Sequence, residues 1–175
     1  IKDPDPKTGE GEVWAKGDNI MKGYYKEPEL TKEVLTPDGW LKTGDLGYFG
    51  KDNFLYLKGR KKNMIVGSSG ENIYPEEIES VINNFKFVVE SVVVEKKGKL
   101  IALVHFNYEE LEKQFHHLKD EAVSYARKKT DELKHELKEH VNAQVNKFSK
   151  IYTVVPQKSP FKKTATQKIK RYLYH

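Results

Sequence analysis

Gly59-Arg60-Lys61-Lys62-Asn63-Met64-Ile65-Val66-Gly67-Ser68-Ser69-Gly70-Glu71-Asn72-Ile73-Tyr74-Pro75-Glu76-Glu77-Ile78-Glu79 is the stretch around which the chain is organised. A basic cluster passes into a short apolar run, then a Gly/Ser loop, then a helix start. Asn63 to Val66 reads as a short buried strand. Ser68 to Asn72 reads as a loop able to bring bare backbone close to a ligand, because Gly67 and Gly70 carry no side chain. Pro75 suits the first position of a helix. Glu76, Glu77 and Glu79 suit its opening turn, where carboxylates meet the positive end of the helix dipole.

Upstream lies Gly39-Trp40-Leu41-Lys42-Thr43-Gly44-Asp45, a turn and a strand-like run that ends on a carboxylate. An Asp held on a tight turn is able to accept hydrogen bonds from both hydroxyls of a ribose. The plainer alternative is an Asp that caps the turn. Downstream lies Thr164-Ala165-Thr166-Gln167-Lys168-Ile169-Lys170-Arg171. In this order and spacing the three motifs resemble those of the adenylate-forming enzymes, the superfamily of acyl-CoA synthetases, luciferases and peptide-synthetase adenylation domains.

The resemblance implies a role for each matching position. Asp45 would hold the ATP ribose, and Arg60, a planar guanidinium, would contact the nucleotide. Lys62 matches the hinge, where a few residues absorb a torsion change. Ser69 and Gly70 match the loop that approaches the pantetheine arm of coenzyme A. Lys168 matches the catalytic lysine of adenylation, a cation that stabilises charge on phosphoryl oxygens as a carboxylate attacks the α-phosphate of ATP. Most relatives place Gly before that lysine, where this chain has Gln167. Lys162, Lys163 and Lys170 lie nearby, and Ile169 and Arg171 set the register on Lys168. On residues alone other readings stand: Arg60 as one more surface cation beside Lys58, Lys61 and Lys62, and Gly67 to Gly70 as an ordinary hairpin loop.

A long insertion from Asn107 to Lys150, with Val145-Asn146-Lys147-Phe148-Ser149-Lys150-Ile151, resembles the long-chain fatty acyl-CoA synthetase branch. The resemblance therefore implies the C-terminal part of an ATP-dependent long-chain fatty acid–CoA ligase, inactive by itself. It implies ATP, coenzyme A and ATP-borne Mg²⁺ as cofactors, a fatty acid as substrate and the enzyme's own N-terminal domain as partner. Nucleic acid is not among the expected partners, and peripheral membrane association of the full enzyme is left open.

Composition sets the bounds. The 175 residues suffice for one domain, or a small domain with a piece of another. With 37% hydrophobic and 33% charged residues the chain is polar, yet able to build a core. No run approaches the roughly 18 apolar residues of a membrane span. The absence of cysteine excludes disulfides, thiolate nucleophiles and Cys-based zinc sites, and is compatible with a cytoplasmic location. The opening Ile1 and loop-like Asp3-Pro4-Asp5-Pro6-Lys7-Thr8-Gly9 lead us to expect a fragment of a longer protein. The net charge is +5, and from Lys158 onward there are 6 Lys or Arg and no acid. That tail is a solvated surface on one reading. On another it belongs to a nucleic-acid- or membrane-binding module with steeply salt-dependent affinity. His116, His117, His135 and His140 lack the spacing that puts ligands on one helix face, so no protein metal site is expected.

The hydrophobic pattern predicts two domains, 1–58 and 59–175. The first is β-rich, with strands at Glu12–Ala15, Trp40–Lys42, Gly47–Phe49 and Phe54–Leu57 and a short helix at Glu29–Val34. The second is α+β, a small antiparallel sheet with packed helices. Its expected elements are a helix from Pro75 to Asn84 with Ile78, Val81, Ile82 and Phe85 inward, then a hairpin of Val88–Glu95 and Leu100–Phe106. Helices follow with stripes Leu111, Phe115, Leu118 and Leu133, Leu137, Val141, Val145, Phe148, and then a strand from Ile151 to Val155, before Pro156.

Overall fold

A computed structural model describes residues 1–115 and 122–174. Leu118, His116, His117 and the side chain of Phe115 lie outside the described residues. The chain divides into two units, Ile1–Met64 and Ile65–His175.

The first unit is a 3-stranded antiparallel sheet in the order β1 (Gly11–Ala15), β2 (Leu41–Phe49), β3 (Leu55–Arg60). Helix α1 (Pro28–Val34) starts on its proline, whose missing N–H costs nothing there. The turn from β2 to β3 is built by polar side chains. Asp52 accepts from the Phe54 amide at 3.2 Å and from the Tyr56 hydroxyl at 2.8 Å, and Tyr56 stacks on Tyr48. No hydrophobic side chain of this unit is buried, and Phe49, Phe54, Leu55, Tyr56 and Leu57 are exposed.

The expected buried strand over Asn63 to Val66 does not form. Lys61–Asn63 is a 3₁₀ turn, and β4 is only Ile65–Val66, paired antiparallel with β5 (Asn72–Ile73). Successive strand residues point to opposite faces, so a strand this short has one inward position. Ile65 takes it, while Val66 is 64% exposed.

The second unit is built on α2 (Pro75–Asn83), β6 (Val88–Lys96), β7 (Lys99–Phe106), α3 (Tyr108–Phe115), α4 (Ala122–Gln144) and β8 (Thr153–Gln157). The β6–β7 hairpin forms as its two apolar runs predict. Lys97 and Gly98 both take left-handed backbone angles, the geometry that matches strand twist in a two-residue turn. The sheet is mixed rather than antiparallel, because β8 runs parallel to β7. The chain leaves the end of β7 and returns through helices, the long connection that a parallel pair requires. The strand also starts later than expected and contains Pro156, which a terminal strand tolerates.

The sheet separates two apolar layers. On one face Val93, Ala102, Val104 and Val154 pack with Ile78 and Ile82 of α2 and Leu133, Leu137 and Val141 of α4. The opposite face presents Val92, Val94 and Leu103 to Phe161, with Ile169 and Tyr174 beside it. The C-terminal segment is thus the cover of the second face. The approach to β8 is fixed by Asn142, whose side chain donates to the Ile151 carbonyl at 3.0 Å and accepts from the Ile151 amide at 2.8 Å. No helix among the described residues is long and apolar enough to cross a membrane.

Leu137 is fully buried. Leu137→Ala should lower the unfolding free energy of the second unit by about 2–5 kcal/mol, the transfer cost plus that of the cavity. Urea denaturation measures it, and a loss under about 1 kcal/mol is incompatible with the packing described.

Candidate functional site

In the first unit the site is made by a break in strand pairing. Glu12 pairs with Leu46 but Trp14 pairs with Lys42, so Val13 faces the whole of Thr43-Gly44-Asp45. Gly44 lies at φ +73, which turns the chain sharply there. The Thr43 hydroxyl donates to the Val13 carbonyl at 2.7 Å and accepts from the Asp45 amide at 3.0 Å, fixing the protrusion at both ends. Asp45 is then opposite Arg60 on β3. Arg60 Nε meets Asp45 Oδ1 at 2.9 Å, and Nη1 donates to the Thr43 carbonyl at 2.9 Å. The two side chains remain 32% and 42% exposed. A carboxylate with acceptor capacity and a guanidinium with spare donors, side by side and accessible, suit a polyhydroxylated anionic ligand.

Lys62 is exposed in the 3₁₀ turn that precedes the division between the units. Its neighbour Lys61 is paired with Glu12 at 3.0 Å.

In the second unit Ser69 and Gly70 lie at the exposed tip of the β4–β5 hairpin. The Gly70 amide donates to the Gly67 carbonyl at 2.9 Å, and the Gly67 amide to the Glu71 carbonyl at 2.8 Å. Gly70 has φ +83, yet a Cβ there would meet nothing within 4 Å. Inside this unit glycine is favoured by backbone conformation rather than by crowding.

Lys168 sits on a tight hairpin. The Gln167 amide donates to the Thr164 carbonyl at 3.0 Å, and the Thr164 amide to the Lys168 carbonyl at 2.8 Å. The Lys168 amide donates to Thr164 Oγ1 at 3.1 Å, and the Lys170 amide to the Lys162 carbonyl at 2.8 Å. Gln167 is left-handed, at φ +62. Lys168 is exposed, and among the described residues its ammonium meets no carboxylate. Lys163, by contrast, is paired with Glu90.

Sequence reasoning passed over Glu90 and gave Glu79 only a place in the opening turn of the helix, whereas Glu79 lies beyond that turn and both residues, only 6% and 8% exposed, hold this hairpin. Glu79 Oε1 accepts the Val93 amide at 2.6 Å, and its other oxygen pairs with Arg171. Glu90 Oε1 accepts the Phe161 amide at 2.8 Å, and its other oxygen pairs with Lys163. Burial pushes the Glu79 carboxyl up to about 7, against the lowering influence of Arg171. A signal was available. Glu79 stands three residues before Ile82, on the inner face of α2, and Glu90 has the same strand parity as Val92 and Val94.

The site residues thus fall into two sets: Asp45 and Arg60 are brought together in the first unit, while Ser69, Gly70 and Lys168 belong to the second. Comparison with known proteins gives these sets a context. The sulfoacetate–CoA ligase of Cupriavidus necator is 44% identical over 91 residues, covering 52% of this chain and 18% of that protein. A long-chain-fatty-acid–CoA ligase of Mycobacterium tuberculosis is 44% identical over 100 residues, covering 55% of this chain and 20% of that protein. The o-succinylbenzoate CoA synthetase of Bacillus subtilis, solved with its acyl-adenylate intermediate, aligns over 95% of this chain and 30% of its own, at 29% identity and TM-score 0.70. The chain is a partial match to the acid–thiol ligases of the adenylate-forming kind. It spans about a fifth of the length of the curated relatives it matches. No family model matches it.

Two outcomes follow from the hairpin and its anchors. Glu79 ionises near 4.5 in the unfolded chain and near 7 when folded, so the folded state holds the proton across that window. Its stabilising contribution is full below about pH 4.5 and declines on the order of 3 kcal/mol as the pH rises to about 7. Chemical denaturation of wild type and Glu79→Gln across this range should show a steeper decline in the wild type, and parallel curves would refute the assignment. Gln167→Gly relieves a left-handed non-glycine residue, and should leave stability unchanged or raise it by up to about 1 kcal/mol. Thermal unfolding tests this.

Proposed function

We propose that the chain is the C-terminal part of an ATP-dependent acid–CoA ligase acting on a long-chain fatty acid. The observation that carries the reading is the Lys168 hairpin, which presents an exposed lysine on a fold that aligns almost throughout with a synthetase solved with its acyl-adenylate. The exposed apolar side chains of the first unit, Phe49, Phe54, Leu55 and Leu57 among them, support the same reading, as part of a larger domain would look.

On this reading the two units act in alternation. Asp45 accepts from the ribose hydroxyls and Arg60 donates to the nucleotide. Lys168 stabilises the charge that builds on the α-phosphoryl oxygens as the fatty carboxylate attacks and pyrophosphate leaves. Mg²⁺ arrives bound to the ATP phosphates; another solved form of the Bacillus subtilis synthetase contains ATP and magnesium ion. Torsion at Lys62 then withdraws Lys168 and brings Ser69 and Gly70 to the path of the pantetheine arm, whose thiol displaces AMP from the adenylate. The long Asn107–Lys150 insertion is what favours a fatty acid over the smaller acids named among the relatives. The reading of the tail as a nucleic-acid- or membrane-binding module is disfavoured, because Lys163 and Arg171 are already committed to internal carboxylates.

The test is a comparison of half-reactions in the full-length ligase. Lys168→Ala should cut adenylate formation by about 100-fold or more while leaving thioester formation from supplied acyl-adenylate within about 3-fold of wild type. Gly70→Leu should do the reverse, at a folding cost of about 1 kcal/mol for the left-handed position. Equal loss of both half-reactions in either variant overturns the role given to that residue.

A further inference from the structure

A lysine that stabilises a transition state must be placed to within a fraction of an ångström, and an exposed hairpin at the end of a polar segment is a poor place to achieve that. The hairpin here is anchored at both feet. On the entering strand, Phe161 is buried, its amide donates to Glu90, and Lys163 pairs with the other Glu90 oxygen. On the leaving strand, Ile169 packs against the second face of the sheet, and Arg171 pairs with Glu79. The Tyr174 hydroxyl closes the base by accepting the Lys162 amide at 2.7 Å, and its ring meets Phe161 edge-on.

Both carboxylates divide their oxygens alike, one to a backbone amide and one to a cation, which sets direction as well as distance. Glu79 ties Arg171 to the amide of Val93 in β6, and Glu90 is itself part of β6. We infer that Glu79 and Glu90 are positioning residues that bolt the two feet of the Lys168 hairpin to strand β6, so that Lys168 moves only as the whole second unit moves. This rests on the ligase reading for its catalytic consequence, while the rigidity itself is a property of the chain.

The experiment has two readouts. In the 175-residue chain, Glu79→Gln and Glu90→Gln should each speed hydrogen exchange at the Thr164 and Lys170 amides by about 10-fold or more, with amides of the β6–β7 hairpin other than Val93, which donates to Glu79 itself, unchanged. In the full-length ligase the same variants should slow adenylate formation by about 10- to 100-fold and alter thioester formation from supplied acyl-adenylate by less than about 3-fold. Exchange at the wild-type rate in the Lys168 hairpin, or a parallel fall in both half-reactions, overturns the inference. Should Glu90→Gln unfold the unit, Lys163→Met removes the more exposed partner of the same pair and is read identically. Lys168→Ala serves as the control that separates the two readings. If it leaves adenylation intact the catalytic role of Lys168 falls, and the exchange result alone decides whether the anchors exist.

Discussion

A carboxylate withdrawn from water needs partners for both oxygens, and Glu79 finds them in two parts of the chain far apart in sequence. Through Val93 it joins α2 to the central hairpin, and through Arg171 it joins the C-terminal segment to both. Breaking a buried ion pair is generally costly, whereas an apolar replacement of the whole pair is often neutral, and here Arg171 keeps a second carboxylate, Glu76, at 3.9 Å. The interaction therefore contributes less to overall stability than to the choice of one arrangement. With Glu90 it holds the C-terminal segment, with Phe161, Ile169 and Tyr174, against the second face of the sheet.

Much of the fold follows from short-range rules. The β6–β7 hairpin is written in two apolar runs rich in β-branched residues about a Lys-Gly turn, and α2 in a proline followed by isoleucines four apart. The direction of β8 is not written locally, because it depends on how far the intervening helices carry the chain before it returns. Asn63 to Val66 misled for a related reason. An apolar run that short has no periodicity, and the pairing of Ile65 with Ile73 settles which residue is inside. Among the site residues, Asp45, Gly70 and Lys168 stand in motifs recognisable by spacing. Glu79 and Glu90 are ordinary acids in sequence, and only their places among buried isoleucines and valines mark them.

The three motifs share a structural habit. Asp45 follows Gly44 at φ +73, Gly70 itself lies at φ +83, and Lys168 follows Gln167 at φ +62. A left-handed residue turns the chain sharply and so re-aims the next group, or bares the backbone itself. Two of these positions use glycine at little cost. The third uses glutamine, and its strain is borne by the four backbone and hydroxyl bonds that close the Lys168 hairpin.

Pro156 has a consequence of another kind. It is paired in register with Val104, on the terminal strand of the sheet. A proline has no amide hydrogen to offer, so that border of the sheet lacks one rung for any strand that would add to it. The second unit thus carries β7 in the middle of the sheet and a poor template at this rim. At this rim the sheet is therefore guarded against recruiting copies of itself into a growing sheet.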